Sequence, residues 1–158
     1  MYKRQGESFI SIAPGEIEEM NFQYSEGARD AEALLFDYSI HELVLITKRE
    51  SRSMIYSFPF NSTDETVIIS SLGSIPSRNF TAADASKSGE VLIKNYDEIF
   101  YWPSDTTSIA DRILGWNPMK ATYQSEPQGE AICWANDDFY TISEISKRDQ
   151  ELLLFERK

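Results

Sequence analysis

Two short phrases, "RDAEALLFD" (Arg29–Asp37) and "QGEAICWAND" (Gln128–Asp137), place a carboxylate in front of an apolar run. These carboxylates, Glu32 and Glu130, are 130 − 32 = 98 residues apart, and "TAADAS" places Asp84 between them, where 84 − 32 = 52 and 130 − 84 = 46. Each interval has room for about four short strands. A four-stranded unit that recurs at this spacing is typical of a β-propeller blade, whereas the strands of a β-sandwich follow no such repeat.

Apolar and polar residues alternate along most of the chain, and clusters of Gly, Pro, Asn, Asp and Ser interrupt them at short intervals. This pattern predicts a nearly all-β protein, with strands near residues 18–25, 32–38, 42–49, 53–60, 66–73, 80–86, 90–96, 98–103, 120–125, 130–136, 138–145 and 151–158. One segment, "SIADRILG", is different. Ser108 and Asp111 form a variant of the capping box and Gly115 is a stop signal, so we expect a short helix near 108–114.

The grouping of these strands predicts a partial β-propeller of about three blades. The expected units are a remnant of a preceding blade (6–28), a blade (29–78), a blade that contains the helix (79–126) and an incomplete last blade (127–158). Residues 1–5, "MYKRQ", are expected to be a non-native leader, because the codons TAT-AAG-AGA-CAG for Tyr-Lys-Arg-Gln resemble the end of a transposase adapter. Finding these residues encoded in the flanking genomic DNA would contradict that expectation.

Composition excludes several classes of function. The net charge of −11 repels phosphate backbones, so nucleic acid is not an expected partner. The single cysteine, Cys133, excludes an internal disulfide, and its apolar surroundings predict a buried small hydrophobe. With one histidine, His41, at a predicted surface turn, the inventory disfavours a catalytic triad and a His-rich or Cys-rich zinc site. No apolar run approaches the length of a membrane span.

Taken in order, five runs carry a resemblance to a known family: "YSEGARDAEALLFD", "ELVLITKR", "EVLIKNYDEIFYW", "SIADRIL" and "EPQGEAICWANDDFYTISE". They resemble the C-terminal half of bacterial β-propeller proteins of unassigned activity, which are described as hypothetical, secreted or lipoprotein-like. The match extends over nearly everything from Phe22 to Glu144. It implies a ring of roughly six blades, whose N-terminal blades are missing here, and a periplasmic or extracellular location. It implies no reaction.

The innermost strands of a propeller run beside its central channel, so the residues that open them meet at one mouth. The candidate acids for such a ring are Asp30, Glu32, Asp84, Glu126 and Glu130. Oxygen ligands of this kind suit Ca²⁺ or Mg²⁺, so Ca²⁺ is the cofactor that the ring suggests. A calcium-dependent hydrolase of the propeller-phytase or lactonase type would use bound ions to polarise its substrate and activate water.

The same acids also have a structural interpretation. Lys48, Arg49 and Lys94 are predicted to balance their charge, through ion pairs and hydrogen bonds that join one blade to the next. We favour this interpretation, so the expected function is a binding or scaffold module for a small-molecule or protein ligand, with the hydrolase as the alternative. Trp102, Trp116 and Trp134 are expected to pack between blades rather than to form a sugar-binding surface.

Overall fold

The structure is a computed structural model that describes residues 19–61, 65–124, 126–144 and 152–157. In these residues the prediction of an all-β chain with one short helix is confirmed. The elements are β1 (Phe22–Tyr24), β2 (Ala31–Asp37), β3 (Glu42–Thr47), β4 (Ser53–Pro59), β5 (Val67–Ile69), β6 (Gly73–Ile75), β7 (Phe80–Ala85), β8 (Val91–Asn95), β9 (Ile99–Trp102), α1 (Ile109–Leu114), β10 (Met119–Ala121), β11 (Gly129–Ala135), β12 (Asp138–Ser143) and β13 (Leu152–Phe155). The predicted leader at 1–5 lies outside the described residues, as does most of the predicted remnant at 6–28.

Three antiparallel sheets follow one another along the chain. The first sheet has the strand order β2-β3-β4-β6, the second β7-β8-β9-β10 and the third β11-β12-β13. Strand β2 lies against β7, and β7 lies against β11, so the first strands of the three sheets are neighbours. Within the described residues, no sheet closes on itself.

A β-bulge near the start of each first strand gives the spacing of the repeat. The extra residues at these bulges are Glu32, Thr81 and Glu130. They are equally spaced, because 81 − 32 = 49 and 130 − 81 = 49. Asp84 lies three residues further along β7, so the acidic phrase occurs at this position only in the first and third sheets.

The second sheet is covered on both faces. Every residue of β8 is buried: Val91 and Ile93 belong to the core shared with the first sheet, whereas Leu92 belongs to the core shared with the third. Because side chains alternate between the two faces of a strand, a strand covered on both sides has to be apolar almost throughout. This explains the apolar run "VLI" (Val91–Ile93).

The helix α1 is attached to the first sheet through its N-terminus. As predicted, the Ser108 side chain accepts a hydrogen bond from the Asp111 N–H, at 3.1 Å. A second acceptor comes from the end of β2, where Asp37 Oδ2 accepts the Ile109 N–H at 2.7 Å. Burial alone would raise the pKa of Asp37, but its hydrogen bonds from Ile109 and Ser39 outweigh burial and lower that pKa. No helix in the described residues is long and apolar enough to cross a membrane.

The strand predicted at 66–73 is present only in part, as β5, and β6 begins where the predicted strand ends. Strand β5 pairs in parallel with β1, and the fourth strand of the first sheet is β6 instead. Propensity favours a strand at both places, but only the packing of Tyr24 and Ile69 with Tyr56 and Phe58 brings β1 and β5 together on the first sheet.

The prediction that Cys133 is buried is wrong, because its side chain is exposed. Alternation along β11 turns Ile132 and Trp134 toward the second sheet, and it therefore turns Cys133 to the opposite face. An apolar run in sequence cannot show which of its two faces has a neighbour.

Replacing Asp37 with Ala should lower the free energy of unfolding by about 1–3 kcal/mol, because the buried Ile109 N–H loses its acceptor. The pKa of Asp37 is lower in the folded than in the unfolded protein. Its stabilisation is therefore present above the unfolded pKa of about 3.9 and is lost as the pH falls through the folded pKa. Urea titrations from neutral to acid pH measure both effects. Asp137→Ala, at an exposed turn, is the control, and an equal loss in this variant would contradict the capping role.

Candidate functional site

The three bulges lie at one end of the neighbouring first strands, and charged or polar side chains gather there. The residue that follows each second strand occupies the adjacent position, because the ladders end at equivalent pairs. Two of these positions make the same ladder hydrogen bond, from Lys48 N–H to the Asp30 carbonyl and from Glu144 N–H to the Gln128 carbonyl. We call the resulting group the mouth cluster; its members are Glu32, Lys48, Tyr96, Glu130 and Glu144.

Lys48 is the centre of the mouth cluster. Its Nζ donates to Glu32 Oε2 at 2.5 Å and lies 3.8 Å from Glu130 Oε1, which belongs to the third sheet. The ammonium also lies 5.1 Å from the ring centroid of Tyr96, which directly follows β8 of the second sheet. Burial alone would lower the pKa of Lys48, but the interactions with Glu32 and Tyr96 outweigh burial and raise that pKa. One buried cation therefore contacts all three sheets.

Glu130 also interacts with Tyr96 and with Glu144. The Tyr96 hydroxyl donates to Glu130 Oε1 at 2.9 Å, which joins the second sheet to the third. A hydrogen bond with Glu130 and the repulsion between the two carboxylates raise the pKa of the neighbouring Glu144 above its ordinary value. The mouth cluster thus has three acids around one lysine; Glu32 and Glu144 are exposed, and Glu130 is half-buried.

A second polar group, which we call the buried pair, joins the second sheet to the loop before β11. Lys94 is fully buried, and its Nζ lies 3.7 Å from Glu126 Oε1. The ammonium also donates to the Tyr123 hydroxyl and, at 3.1 Å, to the Asn95 carbonyl. Burial lowers the pKa of Lys94 even though Glu126 opposes this effect, and burial raises the pKa of Tyr123 to about 12. These hydrogen bonds compensate in part for the loss of hydration.

The glycine in front of Glu130 makes room for the buried pair. A Cβ at Gly129 would lie 2.6 Å from Lys94 Nζ and 2.8 Å from Glu126 Oε1. The Gly129 carbonyl also accepts a hydrogen bond from Thr81 Oγ1, at 2.9 Å. In the phrase "QGE", Gly129 therefore lets the backbone approach the buried Lys94, and Glu130 provides a carboxylate of the mouth cluster.

The remaining predicted site residues lie elsewhere. Asp30 forms an exposed ion pair with Arg49. Asp84 Oδ2 accepts the Trp134 N–H at 2.7 Å, near the far end of β7, so it joins the second sheet to the third away from the mouth. The five predicted acids thus divide among four places, and no group of three or more acid, His or Cys side chains in the described residues has the arrangement of a metal site.

Sequence reasoning missed Thr81, Tyr96 and Glu144. These residues could be recognised from their regular spacing along the chain, but not from their residue type. Thr81 lies midway between Glu32 and Glu130, and Lys48, Tyr96 and Glu144 are equally spaced in the same way, because 96 − 48 = 48 and 144 − 96 = 48. A search for recurring carboxylates selected Asp84 instead, since it was the acid nearest to the middle of the interval. Counting from the strand starts would have found the equivalent positions.

No protein family model matches the chain, and a search of curated proteins finds no match.

Replacing Lys48 with Met should lower the free energy of unfolding by about 1–3 kcal/mol, because Glu32 and Glu130 lose the cation between them. Arg49→Met is the control. Its ion pair with Asp30 is exposed, so this variant should change stability by no more than about 0.5 kcal/mol. Chemical denaturation followed by tryptophan fluorescence measures both, and equal effects would contradict the role of Lys48 as a link between sheets.

The substitution Gly129→Ala should destabilise the protein by about 1–3 kcal/mol, because the added methyl group clashes with the buried pair. Gly115→Ala is the matched control, since its backbone φ is −62° and its nearest neighbour would be 3.5 Å away. We expect this control to be neutral or slightly stabilising. Thermal and urea unfolding of the two variants would show the difference, and a neutral Gly129→Ala would contradict the tight fit.

Proposed function

We propose that the chain is a three-blade segment of a β-propeller and that it serves as a binding or scaffold module. The observation that carries the proposal is that the first strands of three consecutive sheets, equally spaced along the chain, lie side by side with their bulges at one end. Repetition of one strand order around neighbouring first strands is the arrangement of propeller blades. The contact of Lys48 with Glu130 adds support, because side chains from the first and third units meet at this end, with 3.8 Å between Nζ and Oε1.

The contacts of the acids favour a scaffold over a hydrolase. Glu32 and Glu130 share Lys48, Glu126 pairs with Lys94, and Asp84 accepts a backbone N–H. Each of these carboxylates already interacts with a cation or a donor that links two sheets or a sheet to a loop. In the proposed module they hold the blades in place, and a small-molecule or protein ligand binds to surfaces that the blades present. The resemblance to secreted proteins suggests a periplasmic or extracellular setting.

Calcium tests this assignment. Because the acids are matched by protein groups, thermal unfolding of the chain should be the same in millimolar CaCl₂ and in EGTA. NaCl at the same ionic strength is the control. A melting temperature that rises with Ca²⁺ in a saturable way, and returns with EGTA, would favour the calcium-dependent hydrolase instead.

A further inference from the structure

Strand β1 has the position of a fourth strand. In the chain, β6 comes directly before β7 and β10 directly before β11, and β1 comes before β2 in the same way. Its contacts are equivalent as well, because an aromatic residue of β1 and one that follows β10 each lie against the third strand of the next sheet. Tyr24 lies against Tyr56 of β4 with 4.8 Å between ring centroids. Tyr123, which follows β10, lies against Phe155 of β13 with 6.1 Å between ring centroids. In the described residues, β1 is therefore a fourth strand without the three strands that belong beside it.

One edge of β1 is open. Its backbone bonds to β5 run from Val67 N–H to the Asn21 carbonyl and from Ser25 N–H to the Ile69 carbonyl. Because backbone groups alternate in direction along a strand, Phe22 and Tyr24 direct theirs to the other edge, where the Tyr24 carbonyl accepts the Gly27 N–H at 3.3 Å. No strand in the described residues pairs with that edge.

The third sheet has one strand fewer than the first and second sheets in the described residues. In the first two sheets, the third strand pairs antiparallel with a fourth, as β4 does with β6 and β9 with β10. The third strand of the third sheet, β13, has no such partner among the described residues. Among the described residues, each copy therefore has a three-stranded sheet without a fourth strand and, in β1, a fourth strand without its own sheet.

The outer faces of the first and third sheets both carry exposed apolar residues. We call the face of a sheet that meets the preceding sheet its upstream face, and the opposite one its downstream face. On the upstream face of the first sheet, Leu34 is 52% exposed, whereas the equivalent Ile132 of the third sheet is 7% exposed because it lies on the second sheet. The downstream face of the third sheet includes Cys133, Leu152 and Leu154, all exposed, although the equivalent faces of the first and second sheets are covered.

We propose that a second copy of the chain binds head to tail. The downstream face of one copy's third sheet covers the upstream face of the other's first sheet, and β13 pairs antiparallel with β1 of the partner subunit to complete a four-stranded sheet. This contact continues the interface that already joins the first sheet to the second and the second to the third. Made twice, it closes a two-fold ring of six sheets, three from each copy. The inference rests on the blade arrangement given under Proposed function.

The same equivalence identifies a residue that weakens the contact. Within the chain, Tyr96 donates to Glu130 across the junction of the second and third sheets. In the contact between copies, Glu144 takes the place of Tyr96 and Glu32 of the partner subunit takes the place of Glu130. A carboxylate cannot donate the hydrogen bond that Tyr96 donates, so this position contributes less than the internal junction does, and Glu144→Tyr would restore the hydroxyl.

Sedimentation velocity of the full chain, from low to high micromolar concentration, tests the proposal. We expect a monomer that converts to a dimer, and alkylation of the exposed Cys133 that slows as the dimer forms. Leu34→Asp should weaken the dimer at least about tenfold, because it places a charge in an apolar contact. Ile68→Asp, on the outer strand β5 and 60% exposed, is the matched control and should leave the dimer unchanged.

Glu144→Tyr should strengthen the dimer roughly two- to fivefold, the size of an exposed charge effect. General hydrophobic adhesion would also strengthen with this change, so it is the comparison of Leu34→Asp with Ile68→Asp that distinguishes it from the specific contact. A monomer at all concentrations, open assemblies larger than a dimer, or equal weakening by Leu34→Asp and Ile68→Asp would each overturn the proposal. A monomer in which Lys48→Met still destabilises and Ca²⁺ still has no effect would refute the second copy and leave the blade arrangement intact.

Discussion

The structure depends on burial of both faces of the second sheet. A single small sheet that packs on one side only would leave its other face in water, and it would remove too little apolar surface to offset the conformational entropy of its strands. Here β8 is buried along its whole length, between the core that contains Ile55 and Ile93 and the core that contains Leu92 and Ile132. The positions of the first and third sheets follow from this requirement, because each provides the cover for one face.

Polar residues enter this apolar arrangement where the sheets converge. Lys48 and Lys94 are both buried cations, and each has a carboxylate from another part of the chain within reach. Such pairs contribute little net free energy compared with apolar residues of the same size, but removing one partner leaves an unpaired charge in the interior. Their effect is therefore to favour one relative placement of the sheets. The overall charge of −11 is largely a property of the surface, where partners are few and screening is strong.

The head-to-tail dimer extends the same constraint beyond one chain. A repeat structure buries its faces only where a neighbour exists, so the first and last units keep apolar surface that interior units cover. In this chain the exposed Leu34 at one end is equivalent to the buried Ile132, and the exposed Leu152 at the other end is equivalent to the buried Ile99. Among the described residues, the edges of β1 and β13 that pair with no further strand belong to the same two ends, so one contact would cover both the faces and the edges.

The sequence by itself determined the local features: the strands, through the alternation of apolar and polar residues; the helix, through Ser108 and its stop signal; and the repeat that Glu32 and Glu130 mark. It placed the middle marker wrongly, at Asp84 rather than Thr81, because a bulge is defined by the partner strand and not by a residue type. It also missed Tyr96 and Glu144, which carry no motif. Only the tertiary structure decided that β5 pairs with β1, that Cys133 faces outward, and that Lys48 reaches Glu130. These features depend on segments that are far apart in the chain, and no local pattern specifies which strands will be neighbours.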